Sequence, residues 1–442
     1  MWLAVAAATA LSALLGTIAA DLRWLAALGA HIVQHGTIPD FVPFASAASD
    51  GWPNVPVLGE LVIHALDSVA ADRGLLLAQV AAVAVAFTLV ALDMRGAHAA
   101  ESGSLLALLL LIPSTVTSLA LIRAQLFSLA LFPLLVLLLR REARDPSRLV
   151  WLVPPLIALW CNLHGGVLVG VAVAFSYLLL ERGRREPRVA LGVAGASLVA
   201  LFATPALWRT GTYFAGVLDN EAAQRGVGLW RPVSLHSGFD LAFIVCGLVL
   251  AIAALRSRPR LWEVAALAGL AVLTGLAARG EVWFALFAAT PAACGIGGGR
   301  VRRPQLLRPA LVVLIGLSVW GLVRGPADPA AGDRVLRRAL AEAGDTPVLA
   351  TDLLAEQVAL AGGQIWLGNP IDAFERRDQQ LYLDWAEGRP SGDAALDKVP
   401  RAVLVSPRSG AGRRLADNPA FSPIAADDDA VLYVRRPTSD AP

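Results

Sequence analysis

Asp21 directly follows the first apolar run of the chain, and Asp40 follows Pro39 a short distance on. A carboxylate in such a place can take a proton from a hydroxyl. Asp21 can equally cap the helix that starts after it, where aspartate is favoured. Asp40 can equally be a turn residue, and Glu60, at the head of another apolar run, a helix N-terminal charge. Arg123 and Arg279 stand at the ends of apolar segments. Arginine neutralises phosphate through paired hydrogen bonds, although it can also reach from the apolar layer to an interface. His164 lies in Trp160-Cys161-Asn162-Leu163-His164-Gly165-Gly166, where Asn162 and His164 offer polar groups beside two glycines. The bland reading there is a tight helix hairpin, with Gly166 and Gly170 at a packing spacing of small residues. Trp52 and Trp230 present flat apolar faces of the kind that cover sugar C–H groups. Acid, imidazole, guanidinium and indole together suit group transfer from a phosphorylated donor.

Asp21, Trp24, Leu28, His31 and His35 step by three and four residues, so they share one helical face. At about 1.5 Å per residue, His35 is about 21 Å along a straight helix from Asp21, too far for a dyad. His31 and His35 have a metal-binding spacing, but no third ligand is marked. The cysteines Cys161, Cys246 and Cys294 are far apart and form no CxxC or Cys/His cluster. The glycines at 295–299 lack the Lys-Ser/Thr of a phosphate loop. No motif names a cofactor, and a divalent cation stays open.

These residues must be positioned by apolar helices. The 442-residue chain is 56% hydrophobic and 16% charged, against about 45–50% and about 25% in soluble domains. Its mean hydropathy is +0.61. The excess falls in blocks that suit about 30 Å of hydrocarbon. Eleven segments are expected to span a membrane: 2–20, 74–92, 104–122, 126–139, 149–161, 165–180, 189–203, 241–255, 262–278, 282–294 and 306–323. Pro113 and Pro133 are expected to kink their helices. The run 2–20 lacks the basic start of a signal peptide and reads as the first span.

Arginines gather in alternate loops: Arg95; Arg140, Arg141, Arg144 and Arg148; Arg182, Arg184, Arg185 and Arg188; Arg256, Arg258 and Arg260; Arg300, Arg302 and Arg303. The bias puts these loops and the N-terminus in the cytoplasm and the C-terminus outside. The net charge of +2 gives no reason to expect nucleic acid. All nine candidate residues named above then share the outer face. From about 327 charges become frequent and short β-runs appear at 347–351, 364–367, 401–405 and 430–434, with an amphipathic helix at 334–343. The expected division is a transmembrane part, 1–325, with a first outer loop 21–73, and a small extracytoplasmic α/β domain, 326–442.

Asp21-Leu22-Arg23-Trp24, His35-Gly36-Thr37-Ile38-Pro39-Asp40, Trp52 and Leu58-Gly59-Glu60 resemble the first outer loop of a group of bacterial membrane proteins. So do Arg123-Ala124-Gln125-Leu126-Phe127-Ser128, Leu159–Gly166 and the C-terminal Ala430–Arg435. The group is similar to the GT-C superfamily of glycosyltransferases, which includes aminoarabinose and protein mannosyl transferases. The sequence departs from the group at Arg123-Ala124, where Arg-Pro is expected, and at Ile371-Asp372-Ala373-Phe374, which lacks a glycine and an arginine after the aspartate.

The resemblance implies an all-α polytopic membrane fold and a catalytic acid just after the first span, the place of Asp21, with Asp40 second. It also implies a polyprenyl-phosphate sugar donor and a lipid, glycan or protein acceptor. The expectation is an inverting-type transfer on the outer face of the cell membrane, in which Arg123 and Arg279 hold phosphate while Glu60 and His164 shape the pocket. The rival is a non-enzymatic transporter of lipid-linked saccharide, or an envelope assembly factor. A transporter needs polar groups and broken helices at mid-membrane, whereas here the spans are nearly free of acids.

Overall fold

A computed structural model describes residues 1–299, 307–399 and 401–436. Arg300, Arg302, Arg303 and Leu306, used above to set orientation and the last span, lie outside the described residues. The described chain forms two compact units. One holds Met1–Thr17, Leu66–Thr210 and Gly226–Ala327; the other holds Ile18–Ala65, Gly211–Arg225 and Asp328–Pro442.

The first unit is helical. Helices cover most of the described residues of the eleven apolar segments, from Trp2–Leu15 to Leu307–Arg324. Among the described residues, Val57–Gly96 and Gly238–Arg256 are long and apolar enough to cross a membrane by length and composition. Others, such as Glu101–Ser114, Pro187–Ala200 and Leu261–Leu276, are apolar but shorter. The expected segment 104–122 is two helices, Glu101–Ser114 and Val116–Ala120, parted at Thr115. Pro113 is the cause, because its ring removes an amide donor at the last turn. The hydroxyls of Ser114 and Thr115 donate to the Leu110 and Leu111 carbonyls, both at 2.8 Å. Pro133 leaves Leu126–Arg144 continuous.

Glycines let these helices touch. A Cβ on Gly295 would lie 1.8 Å from the Ala253 carbonyl oxygen, one on Gly103 2.4 Å from that of Ala293, and one on Gly321 2.4 Å from that of Ala13. Small residues at these crossings let the backbones approach closely.

Two buried arginines of this unit are paired with carboxylates. The Arg140 guanidinium donates to Asp93 at 2.7 Å, to Glu263 at 2.9 Å and to the Phe287 carbonyl at 2.8 Å. Arg182 reaches Glu142 at 3.3 Å and Glu186 at 3.1 Å. Asp93, Arg140, Glu142 and Arg182 are all buried.

The second unit carries a four-stranded sheet: β1 (Leu349–Ala350), β2 (Ala402–Val405), β3 (Phe421–Ala426) and β4 (Val431–Arg435). The order is β1-β2-β4-β3, with β1 parallel to β2 and the other pairs antiparallel. The expected helix 334–343 is Asp333–Ala343, whose buried Val335, Ala339 and Ala343 recur every four residues. The expected strand 364–367 is reduced to bridges from Ile365 to Val348 and Ala45, since Gly362-Gly363 and Asn369-Pro370 bound it too tightly. Strand β3 was not expected, because Pro423 interrupts it; the register slips beside that residue. The loop 21–73 is largely helical, with Leu22–His35 and the start of Val57–Gly96 inside it. Backbone bonds from Phe44 and Ser46 to Ile365 tie it to the C-terminal segment.

Removing Arg140 leaves two carboxylates, one fully buried, without their main partner. We expect Arg140→Met to lower stability by ~3–5 kcal/mol, read as a lower thermal midpoint in detergent. An unchanged midpoint means that this ion network does not hold the first unit together.

Candidate functional site

The second unit gathers carboxyl groups around Asp21. Residue 21 is the N-cap of Leu22–His35 but sits in the left-handed region, with φ 88° and ψ −16°. Its side chain makes no capping bond, so the helix-cap reading does not describe it. Aspartate tolerates this backbone region better than most residues, and a second contact fixes it there. The Asp21 N–H donates to both carboxylate oxygens of Glu356, at 3.0 and 3.2 Å. Glu356 stands on the helix Asp352–Leu360, which packs on Leu22–His35. Its Oε1 also accepts from Asn369 Nδ2 at 2.8 Å. Burial, and then the Asp21 charge, push the Glu356 carboxyl up to about 7.

Asp372 is the third carboxyl. Trp52 Nε1 donates to its Oδ2 at 3.1 Å. Burial pushes Asp372 up to about 6, with Asp21 adding to the shift. Trp52 is itself buried, with its ring edge-on to Trp24 at 6.5 Å. It therefore orients a carboxyl rather than offering an open face to sugar. Arg23 donates to Asp328 at 2.5 Å and is buried. Glu60 is fully buried and accepts from Asn54 at 3.0 Å. The nearby Gly29 is obligatory, because a Cβ there would lie 2.3 Å from the Glu60 carbonyl oxygen. Asp40 is exposed at a bend. His31 and His35 stack at 4.0 Å, and the His35 ring bonds the His31 carbonyl at 2.9 Å. Among the described residues no group of three His, Cys, Asp or Glu side chains could hold a metal ion, so the divalent cation left open by the sequence finds no ligand set there.

Arg123, Asn162, His164, Trp230 and Arg279 belong to the first unit. The Gly166 N–H donates to His164 Nδ1 at 3.0 Å, so Nδ1 carries no proton. The Ser128 hydroxyl must then donate to the same nitrogen, at 2.7 Å, while its oxygen accepts from Trp160 Nε1, also at 2.7 Å. The proton of a neutral His164 therefore lies on Nε2, which is a donor. Gly166 is needed for this bond and not for helix packing: a Cβ would lie 2.7 Å from Ser128 Oγ and 2.9 Å from His164 Nδ1. Gly170 admits the Trp160 ring. The Asn162 amide nitrogen is taken up by the carbonyls of Ala158 at 2.8 Å and Ala203 at 2.7 Å, so it ties a turn together. The Arg279 guanidinium lies 3.7 Å from the Trp230 ring centre, a cation–π contact. Arg279 also lines a small pocket with Ser114, Thr115, Gln125, Leu229, Glu281 and Val282. Arg123 is half-buried.

Glu356 was missed by sequence reading, since nothing local marks it: it lies within a short amphipathic helix far along the chain from Asp21. Asp372 was visible as a departure from the resembled motif and not as a partner of Trp52.

No protein-family model matches the sequence, and neither does any curated protein sequence. Solved structures do match. The chain is similar to the crystal structure of ArnT from Cupriavidus metallidurans in the apo state, at 13% identity and TM-score 0.58, covering 97% of this chain and 95% of that one. It is similar to the same protein bound to undecaprenyl phosphate, at 13% identity and TM-score 0.56, covering 99% and 98%. It also resembles the arabinofuranosyltransferase AftD from mycobacteria, at 17% identity and TM-score 0.51, covering 98% of this chain but 41% of that one. The chain shares the fold of these structures.

Proposed function

We propose that this chain is a membrane glycosyltransferase that moves a sugar from a polyprenyl-phosphate donor to an acceptor hydroxyl on the outer face of the cell membrane. The observation that carries the reading is Asp21: its carboxylate makes no capping bond, and its backbone is held in the left-handed region. A helix cap would have its oxygen on the first-turn amides. The fold likeness supports the same reading, and one of the similar ArnT structures is bound to undecaprenyl phosphate.

The proposed chemistry balances simply. The acceptor O–H loses its proton to the Asp21 carboxylate. The acceptor oxygen bonds the anomeric carbon from the face opposite the phosphate, which inverts the centre. The bond from that carbon to the phosphate oxygen breaks, and its electron pair leaves with the lipid phosphate. Arg123 and Arg279 are proposed to contact the phosphate, where charge accumulates as the bond breaks. The proton on His164 Nε2 suits it to donate to such an oxygen and not to act as a base. Asp40, exposed at a bend, is the alternative base. The apolar segments are proposed to lie in the membrane, with residues 326–442 outside it.

Asp21→Asn is expected to cut transfer by about 10²–10⁴ without loss of expression, since it keeps the size of the side chain but cannot take the proton. The assay is transfer of labelled sugar from undecaprenyl-phosphate pentose and hexose donors in membranes carrying each variant. Near-normal transfer by both Asp21→Asn and Asp40→Asn sinks a carboxylate base here and favours a transporter or assembly factor.

Arg123→Ala and Arg279→Ala should each weaken donor binding roughly tenfold to a hundredfold, the loss of a charge-assisted bond worth about 1.5–3 kcal/mol. Unchanged donor affinity in both makes these arginines interface anchors.

The buried carboxyls also predict how stability depends on pH. Glu356 is raised from 4.5 to about 7 and Asp372 from 3.8 to about 6. Between those limits the folded chain keeps protons that the unfolded chain has lost. Stability from these groups is therefore full below the unfolded values, falls as pH rises, and levels off above about 7. Glu356→Gln should flatten the fall between pH 6 and 7 in thermal melts and leave that of Asp372 below it. An equally steep fall in the variant excludes Glu356 as its source.

A further inference from the structure

We propose that Glu356, on the C-terminal segment, is the positioning residue for the Asp21 base, gripping the Asp21 backbone amide with its carboxylate. The inference rests on the reading of Asp21 as base in the proposed transfer. Glu356 itself touches neither substrate nor reacting atoms in this account; it acts through Asp21.

Three observations converge on it. First, the grip is on the backbone, with both Glu356 oxygens within 3.2 Å of one N–H. The Cα–Cβ bond of Asp21 is fixed once its backbone is, so an anchor on its amide limits the positions that the carboxylate can reach. Second, the backbone being held is costly. A non-glycine residue at φ 88° persists only where its surroundings over-determine it, and such residues tend to cluster where geometry has a use. Third, the anchor is itself fixed. Asn369 Nδ2 holds Glu356 Oε1 at 2.8 Å, and the side chain is buried on a helix packed against the helix that Asp21 begins.

A structural role alone predicts something different. A buried, hydrogen-bonded carboxylate that only ties Leu22–His35 to Asp352–Leu360 would, when replaced, lower stability and the amount of folded enzyme. It would leave the turnover of each folded molecule alone. A positioning role lowers kcat per folded molecule and leaves the donor KM in place, because the interaction lost matters in the transition state and not in binding. The two hydrogen bonds that converge on Oε1 need an acceptor oxygen but no charge. The amide oxygen of glutamine can fill that place.

The experiment compares wild type, Asp21→Asn, Glu356→Ala, Glu356→Gln and Asn369→Ala, each as the full chain in membranes. Initial rates are taken with undecaprenyl-phosphate pentose and hexose donors and normalised to folded protein. We expect Glu356→Ala to lose about tenfold to a hundredfold in kcat, the scale of a small misplacement of a reacting group. Its donor KM should stay within about twofold of wild type. Glu356→Gln should recover most of that kcat, and Asn369→Ala should lose part of it. If Glu356→Ala does not fold, Asn369→Ala against Glu356→Gln decides the same point.

Wild-type kcat in Glu356→Ala, or in Asn369→Ala where the first does not fold, overturns the proposal. So does a Glu356→Gln variant as slow as Glu356→Ala, because the charge and not the grip would then be acting. Those results count against positioning alone when wild type is active and Asp21→Asn is not. A wild type without transfer, or a fully active Asp21→Asn, removes the base and its positioning residue together.

Discussion

A buried carboxylate has to be hydrogen-bonded, and Glu356 meets that demand at the amide of Asp21 and the side chain of Asn369. Much of the second unit is arranged around that requirement. The helix Leu22–His35 must begin where its N-cap amide can reach Glu356. The helix Asp352–Leu360 must lie flat against it. Asp372, a half-buried carboxyl, accepts from Trp52, which packs in turn on Trp24 of that same first helix. Residues from 18–65 and from 328–442 therefore make one compact unit, joined as well by Arg23 to Asp328 and by the backbone of Phe44 and Ser46 to Ile365.

The first unit solves the same problem with ion pairs. Its helices are apolar, and two buried arginines in them are matched: Arg140 with Asp93 and Glu263, and Arg182 with Glu142. Such pairs add little net stability when whole but cost much when broken. They act as register marks between helices whose apolar faces are otherwise nearly interchangeable. The close approaches at Gly103, Gly295 and Gly321 do the complementary work, admitting a neighbouring backbone where any side chain would collide.

His164 shows how packing turns a residue type into a specific group. The sequence supplies an imidazole beside two glycines. Only the Gly166 amide, the Ser128 hydroxyl and the Trp160 indole together settle which ring nitrogen carries the proton. A neutral imidazole in this place carries its proton on Nε2. Asn162, two residues earlier, is drawn instead into holding the turn.

Periodicity and composition determined the apolar helices. The apolar runs became helices, and Asp333–Ala343 followed from its every-fourth-residue apolar face. The place of Asp21, directly before a helix, was also legible. What the sequence could not decide was which role Asp21 takes, because base and cap use the same residue at the same position. The cap is excluded by a side chain that makes no capping bond, on a backbone held by Glu356, 335 residues away. Strand β3 and the reduced strand at Ile365 went unread for a related reason, since prolines and glycines set local limits that pairing partners then override or enforce. Local propensity acts through neighbours along the chain. Burial of a carboxyl, the tautomer of an imidazole and the use of an indole depend on groups that only the folded chain brings together.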